Sequence, residues 1–337
     1  MDRRDVLKAG ATGALILGAP AIVRGQSAKT LRFGHIFPET HPYHEGLTKF
    51  GEEVARRTDG AVEVIVYSSG QLGGEIQMIE GMGMMTIDGG SVAAGSLAQT
   101  HGIRKYYLLD MPYLFDDYEA IERFVASDVA AELAGLVEPE RHGLRILAWG
   151  GNGFSQMINS QRPINTPADL EGLKFRVWES PSAILSFEVM GLNPTPMPYS
   201  EVFTALQQGV VDGLVNSMTT FYLTKMHEVA KYLSVSDQLY AFLFITMSEQ
   251  SFASLDPSEQ EAVMAAAAEG ARHWRGIYPV NDAEYRTRLA EAGCEVNEVD
   301  KQAFRDYCES RYGRYQEIVQ EPGTEELIER LLAIGRA

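Results

Sequence analysis

Cysteine is scarce: the 337 residues hold two, Cys294 and Cys308. Two thiols cannot build a disulfide framework or a four-cysteine zinc site. Basic residues are the minority, 29 against 46 acidic ones, and the formal net charge is −17. A general nucleic-acid binder needs a basic face to neutralise phosphates, and this balance argues against one. No internal stretch supplies the roughly 20 apolar residues that span a bilayer. Prolines number only 14 and 45% of residues are hydrophobic, which is the composition of an ordered globular chain. The length suits two domains, or one large one, each with its own core.

Catalytic signatures are also missing. There is no G-x-S-x-G elbow and no S-x-x-K. His41-Pro42-Tyr43-His44 lacks the spacing of a zinc-protease helix and reads as a solvated helix start. Gly150-Gly151-Asn152-Gly153 follows a strand, but no G-x-G-x-x-G or P-loop lysine completes it. It reads as a turn where the chain enters a second lobe. Carboxylates are too numerous for counting to exclude a glycosidase-like pair, yet no spacing selects one.

The first 26 residues look like an address. Arg3, Arg4 and Lys8 form a positive segment, and an apolar stretch from Ala9 to Val23 follows, broken by glycines and Pro20. That is too short for a spanning helix and suits a signal peptide, with a small-x-small site at Ala19-Pro20-Ala21 or a second choice at Gly25-Gln26. The paired arginines resemble a twin-arginine signal, although Asp2 and Val6 depart from its pattern and leave an ordinary secretory signal open. Removing residues 1–25 takes away four positive and two negative charges and brings the net charge to −19. The expected destination is the periplasm of a Gram-negative bacterium. In that oxidising space Cys294 and Cys308 either pair or remain two buried thiols.

The remainder alternates strands and helices, which predicts α/β layers with mostly parallel strands. Expected strands are 31–36, 61–67, 87–93, 144–149, 173–178, 210–215 and the apolar run 240–247. Expected helices cover 43–57, 74–84 and about 117–136. Thr166-Pro167-Ala168-Asp169 and Asp256-Pro257-Ser258-Glu259 are helix starts, and Ser200 is expected to cap another. The helix after Asp256 is long, with Val263, Ala267, Gly270, Trp274 and Tyr278 on one stripe. Pro279 is expected to kink or interrupt it. With no linker in view, two lobes must be joined by ordered elements: strands near 147–151 and 236–241 and this helix.

Several stretches resemble the periplasmic substrate-binding proteins of tripartite ATP-independent (TRAP) transporters, the DctP-like family. The clearest is NSQRPINTPADLEGLKFRVWESP followed by GLNPTPMPYSEVFTALQQGVVDGLVNS, within 159–217. LRFGHIFPETHPY, SSGQLGGEIQMIEGM, the LLDMPYLF run at 108–115 and MHEVAKYL add to it, in order along the chain. The resemblance implies a two-lobed α/β fold with a ligand cleft between lobes and a long helix spanning both. Lobe I would hold 30–148 with about 239–278, and lobe II 149–238 with about 280–325. It implies a monomer that closes on a small organic anion and passes it to membrane permease subunits, with no catalysis, cofactor or metal. A ligand-sensing module and a sugar-acid hydrolase are the other functions weighed.

The resemblance also carries residues. Arg176 falls where the family places its carboxylate-binding arginine, and a guanidinium fork suits a carboxylate. Asn216, Glu75 and Tyr199 fall at cleft positions, and Trp178 and Glu179 follow Arg176 directly. His35 is a lobe I candidate, and Asn152 and Ser155 complete the expected ligand set. Two departures matter. Ser155 stands where many relatives carry a second arginine, and Ala93 lies near where some place an acid. A cleft with one positive charge favours a hydroxylated monocarboxylate, such as a sugar acid, over a dicarboxylate.

Overall fold

A computed structural model describes residues 28–337; the expected export signal lies outside the described residues. Nine strands form one mixed sheet: β1 (Lys29–Gly34), β2 (Val62–Tyr67), β3 (Gly89–Ala93), β4 (Leu144–Asn159), β5 (Lys174–Val177), β6 (Asn193–Pro196), β7 (Gly213–Asn216), β8 (Tyr232–Ser248) and β9 (Glu295–Glu298). Their order is β2-β1-β3-β8-β4-β7-β5-β6, with β9 also pairing β8. The outer strands pair in parallel, as expected: β1 with β2 and β3, and β5 with β6 and β7. The centre departs from expectation, since β8 pairs antiparallel with both β3 and β4. The reason is topological: the chain leaves one half of the sheet on β4 and returns on β8, so these two strands must run in opposite directions. Among the described residues no helix is long and apolar enough to cross a membrane.

β4 has 16 residues and β8 has 17, far longer than the apolar runs that announce them. Their ladder shifts register at three places, one of them between Ile146 and Ala148. Gly151 pairs Phe242 and Phe154 pairs Tyr240, so Asn152 and Gly153 oppose Ala241 alone. Gly153 takes a left-handed φ of 69°, which glycine adopts without strain. The expected turn at 150–153 is therefore a bulge inside a strand. Further along, Ser155 pairs Leu239 and Met157 pairs Ser234. The Gln156 side chain bridges this gap. Its Oε1 accepts from the Ser236 and Asp237 amides at 2.7 and 3.0 Å, and its Nε2 donates to Asp237 Oδ1 at 2.6 Å. A side chain thus replaces the missing ladder bonds.

The long helix runs Pro257–Glu291 and starts as expected. Asp256 Oδ1 accepts from the Ser258 and Glu259 amides, both at 2.9 Å, while Glu259 accepts from the Asp256 amide at 2.7 Å. All five stripe residues are buried. Pro279 does not interrupt the helix, which continues to Glu291; Tyr278 before it and Leu289 beyond are fully buried. The expected helix over 117–136 is two, Tyr118–Val125 and Asp128–Ala134, because the Ser127 hydroxyl accepts from the Ala130 amide and caps a new start. Ser200 does not cap a helix either: it sits within the 3-10 turn Tyr199–Glu201, and the helix Val202–Gln207 follows from Glu201 without a side-chain cap. Cys294 and Cys308 are free and buried, in separate hydrophobic clusters, so no disulfide forms.

The long helix packs against the helix Pro42–Arg57 through glycine. A Cβ on Gly270 would lie 2.8 Å from Phe50 Cβ and 2.9 Å from its backbone nitrogen. Alanine favours helix by about 1 kcal/mol over glycine, but forcing a methyl against backbone costs about 1–3 kcal/mol. Gly270→Ala is therefore expected to lower the thermal midpoint despite its better helix propensity, and a raised midpoint would contradict this packing.

Candidate functional site

A cavity of about 480 Å³ opens where the two long strands cross, with Asn152, Ser155, Ala241 and Phe242 on its floor. The β1–β3 half contributes Phe37, Glu75 and Ser96, and the β5–β7 half contributes Arg176, Tyr199 and Asn216. The two halves touch around it. Phe37 and Tyr199 meet edge to face at 4.8 Å, and His41 Nε2 lies 3.0 Å from Thr220 Oγ1.

Strand alternation sets Arg176. Phe175 and Val177 face the core, so Arg176 points to the opposite face, into the cavity. Only 6% of it is exposed. Its Nε and Nη2 donate to the Met197 carbonyl at 3.1 and 3.0 Å, and the guanidinium carbon lies 5.3 Å from the Tyr199 ring centre. Among the described residues no carboxylate comes within 4 Å of it, and Nη1 has no protein partner. Burial lowers its pKa to about 10, with Tyr199, Glu75 and Glu179 opposing the shift, so it stays charged at neutral pH.

Asn216 ends β7. Its Oδ1 accepts from Asn152 Nδ2 at 2.7 Å and from the Ser217 amide at 2.8 Å, which leaves its amide nitrogen as the group it can offer a guest. Asn152 is engaged at both ends, since its Oδ1 accepts from the Tyr278 hydroxyl at 2.9 Å. It therefore orients Asn216. Glu75 begins the helix Glu75–Gly83 and accepts from the Ser96 hydroxyl at 2.7 Å; burial raises its pKa. The Tyr199 hydroxyl pairs with Thr224 at 2.8 Å. Trp178 and Glu179 line the cavity, and the Trp178 indole nitrogen is buried without a partner.

His35 does not belong with these residues. It follows β1 but turns away from the cavity, its Nε2 pairing with His44 Nδ1 at 3.1 Å. His41 is not solvated either: it is fully buried, and its Nδ1 accepts from the Tyr43 amide at 3.3 Å. Sequence reasoning missed Ser96, Phe37 and Asp110 at the cavity. Asp110 had a legible signal, a lone acid inside the apolar run Leu108–Phe115.

A two-part α/β chain enclosing an unpaired, buried cation at its centre is the architecture of a solute-binding protein. The sequence matches the profile of the bacterial extracellular solute-binding proteins, family 7 (DctP), over residues 33–318, and the chain belongs to that family of TRAP transporter binding proteins. A solute-binding protein of Roseobacter denitrificans is 34% identical over 276 residues, spanning 82% of this chain and 83% of the relative. Its crystal structure, with bound L-galactonate, has a TM-score of 0.81 and covers 90% of this chain and 99% of that one. The 2,3-diketo-L-gulonate-binding periplasmic protein YiaO of Escherichia coli is 32% identical over 285 residues, 83% of this chain and 84% of the relative. A TRAP periplasmic solute-binding protein of Polaromonas sp. JS666 bound to D-erythronate is 30% identical, with a TM-score of 0.85 over 92% of this chain and 99% of that one.

The buried histidines carry a pH consequence. Burial and the neighbouring His44 push His35 down to about 3, and burial, then His35, hold His41 well below its ordinary value. Unfolded histidines bind protons below about pH 6.5 that these two refuse, so both subtract from stability as the pH falls through that value. Histidine ring resonances of His35 and His41 are expected to stay fixed between about pH 7.5 and 5 in a two-dimensional NMR titration. Movement of either with a midpoint near 6.5 would place it in water.

Proposed function

We propose that this protein captures a hydroxylated monocarboxylate of the sugar-acid class in the periplasm and hands it unchanged to TRAP permease subunits. The observation that carries this reading is the Arg176 guanidinium, buried, charged and without an ion-pair partner. An uncompensated buried charge is unfavourable, and a guest carboxylate on its open edge relieves it. The backbone carbonyl of Met197 holds the other edge, which fixes the fork in place for the guest.

The remaining cavity groups suit hydroxyls. Asn216 offers a donor, Glu75 and Glu179 offer acceptors, and Tyr199 and Phe37 offer flat apolar surface. Ser155 and Ala93 also line the cavity, so neither the second arginine nor the additional acid of some relatives is present. The sugar acids named for the related proteins of Roseobacter denitrificans, Polaromonas and Escherichia coli support the same class. The division into a lobe carrying β1–β3 and a lobe carrying β5–β7, joined by β4, β8 and the long helix, supports capture by hinge closure.

A thermal-shift panel of aldonates, uronates and C4-dicarboxylates is expected to show stabilisation by sugar acids. Stabilisation by dicarboxylates alone would overturn the substrate class. Arg176→Ala is expected to weaken the best ligand by about 100-fold or more in calorimetry, because charge-assisted bonds contribute roughly 1.5–3 kcal/mol each. Binding within threefold of wild type would remove the arginine from its role.

A further inference from the structure

One cavity-lining acid has no part in the reading above. Asp110 ends the 3-10 turn Arg104–Asp110 and is 5% exposed. Its Oδ2 accepts from the Ser182 hydroxyl at 2.5 Å, Ser182 pairs with Ser180 at 2.8 Å, and Ser180 donates to the Gly95 carbonyl at 3.4 Å. Its own carbonyl accepts from the hydroxyls of Ser186 and Tyr315. Gly95 is packed so closely that a Cβ there would lie 2.8 Å from Asp110 Oδ2. The carboxyl is thus held from several sides and cannot swing away.

What it lacks is a counter-charge. Among the described residues no lysine, arginine or histidine pairs with it, and Oδ1 has no hydrogen-bond partner. Tyr107 on its own turn and Tyr315 behind it are neutral at physiological pH, burial holding both above their ordinary value. The ionisable groups sharing the cavity are Glu75, Glu179, Arg176, Tyr43 and Tyr199. A carboxyl so placed is satisfied by a hydroxyl, which it bonds in either protonation state. It opposes a second carboxylate, because like charges in a poorly screened site repel strongly.

We propose that Asp110 is a specificity-determining residue of the cavity, bonding a hydroxyl of the guest and rejecting a second carboxylate there, so that the guest's single carboxylate lies at Arg176. This rests on the sugar-acid reading and assigns it a further residue. It makes discrimination an active repulsion rather than a mere shortage of cations. Burial raises the Asp110 pKa to about 7, so the rejection should be full in mild alkali and fade in mild acid as the carboxyl gains its proton.

The test is calorimetry with two matched pairs, D-galactonate against galactarate and D-gluconate against glucarate. In each pair the terminal hydroxymethyl of the first acid is replaced by a carboxylate in the second. At about pH 8 the wild type is expected to prefer the monocarboxylate of its better pair by about 100-fold, and at about pH 5.5 by clearly less. Asp110→Asn is expected to narrow the preference to about tenfold and remove its pH dependence. Glu75→Gln, at the other cavity acid whose pKa burial raises, is expected to keep that dependence. An unchanged preference in Asp110→Asn overturns the proposal while leaving the sugar-acid reading intact. If Asp110→Asn does not fold, the Glu75→Gln pH series decides, and a flat preference there overturns it. Failure of the wild type to bind any of the four acids sinks the substrate reading itself, and this inference with it.

Discussion

The structure turns on one buried cation. Arg176 sits on β5, one strand in from the edge of the sheet, almost wholly removed from water, and among the described residues its side chain hydrogen-bonds only to a backbone carbonyl. A carbonyl orients the fork without neutralising it. Had Glu75 or Glu179 come within pairing distance, the site would satisfy itself and bind nothing. Instead both act on the guanidinium from farther off, enough to keep it protonated against the burial that would drive the proton off. The buried charge is a local cost, which in the proposed reading a carboxylate guest removes.

The rest of the fold makes that cost bearable and useful. Two long strands carry the chain between halves of the sheet, and their ladder fails at the cavity floor and just beyond it. At the first break Asn152 turns its amide toward Asn216 and aims it; at the second Gln156 stands in for absent ladder bonds. Irregular pairing lets the strands bend where a regular ladder would be stiff. The contacts that join the halves run into the same network. His41 reaches Thr220, Thr220 leans on Asn152, and Asn152 holds Asn216. Closing the cavity and orienting its donor are therefore parts of one hydrogen-bonded unit.

Local signals made much of this legible in the sequence. The capping box at Asp256 and the stripe from Val263 to Tyr278 announced the long helix, and the resemblance to the TRAP binding proteins singled out Arg176. Non-local signals were not legible. Nothing near Gln156 shows that its amide will serve a strand 80 residues away, so the start of β8, Tyr232–Val235, did not read as strand. His35 read as a ligand contact at a strand end and His41 as part of a solvated helix start, yet the first turns to a neighbouring helix and the second is buried and crosses to the far half. Pro279 was expected to disturb its helix, but packing on both sides of it outweighs one lost hydrogen bond. Glycines 150 and 151 read as a turn, whereas they are needed because Trp274 and Tyr240 occupy the space of any side chain there.

An acidic protein proposed to bind acids needs a physical account, and distance supplies it. The net charge of −17 is spread over the whole chain, and charges facing water are screened beyond about 8 Å at physiological salt. A guest inside the cavity therefore feels chiefly the few groups that line it. There the balance is one fixed cation against carboxyls held at other points of the wall, two of them pushed by burial toward the neutral form. A uniform cavity of that composition would repel anions. A divided one, as proposed, would attract a carboxylate at one end and welcome hydroxyls at the other, since a carboxyl bonds hydroxyls whether it carries its proton or not. The same few groups then supply both affinity and choice, and swapping their positions would abolish both without changing the composition at all.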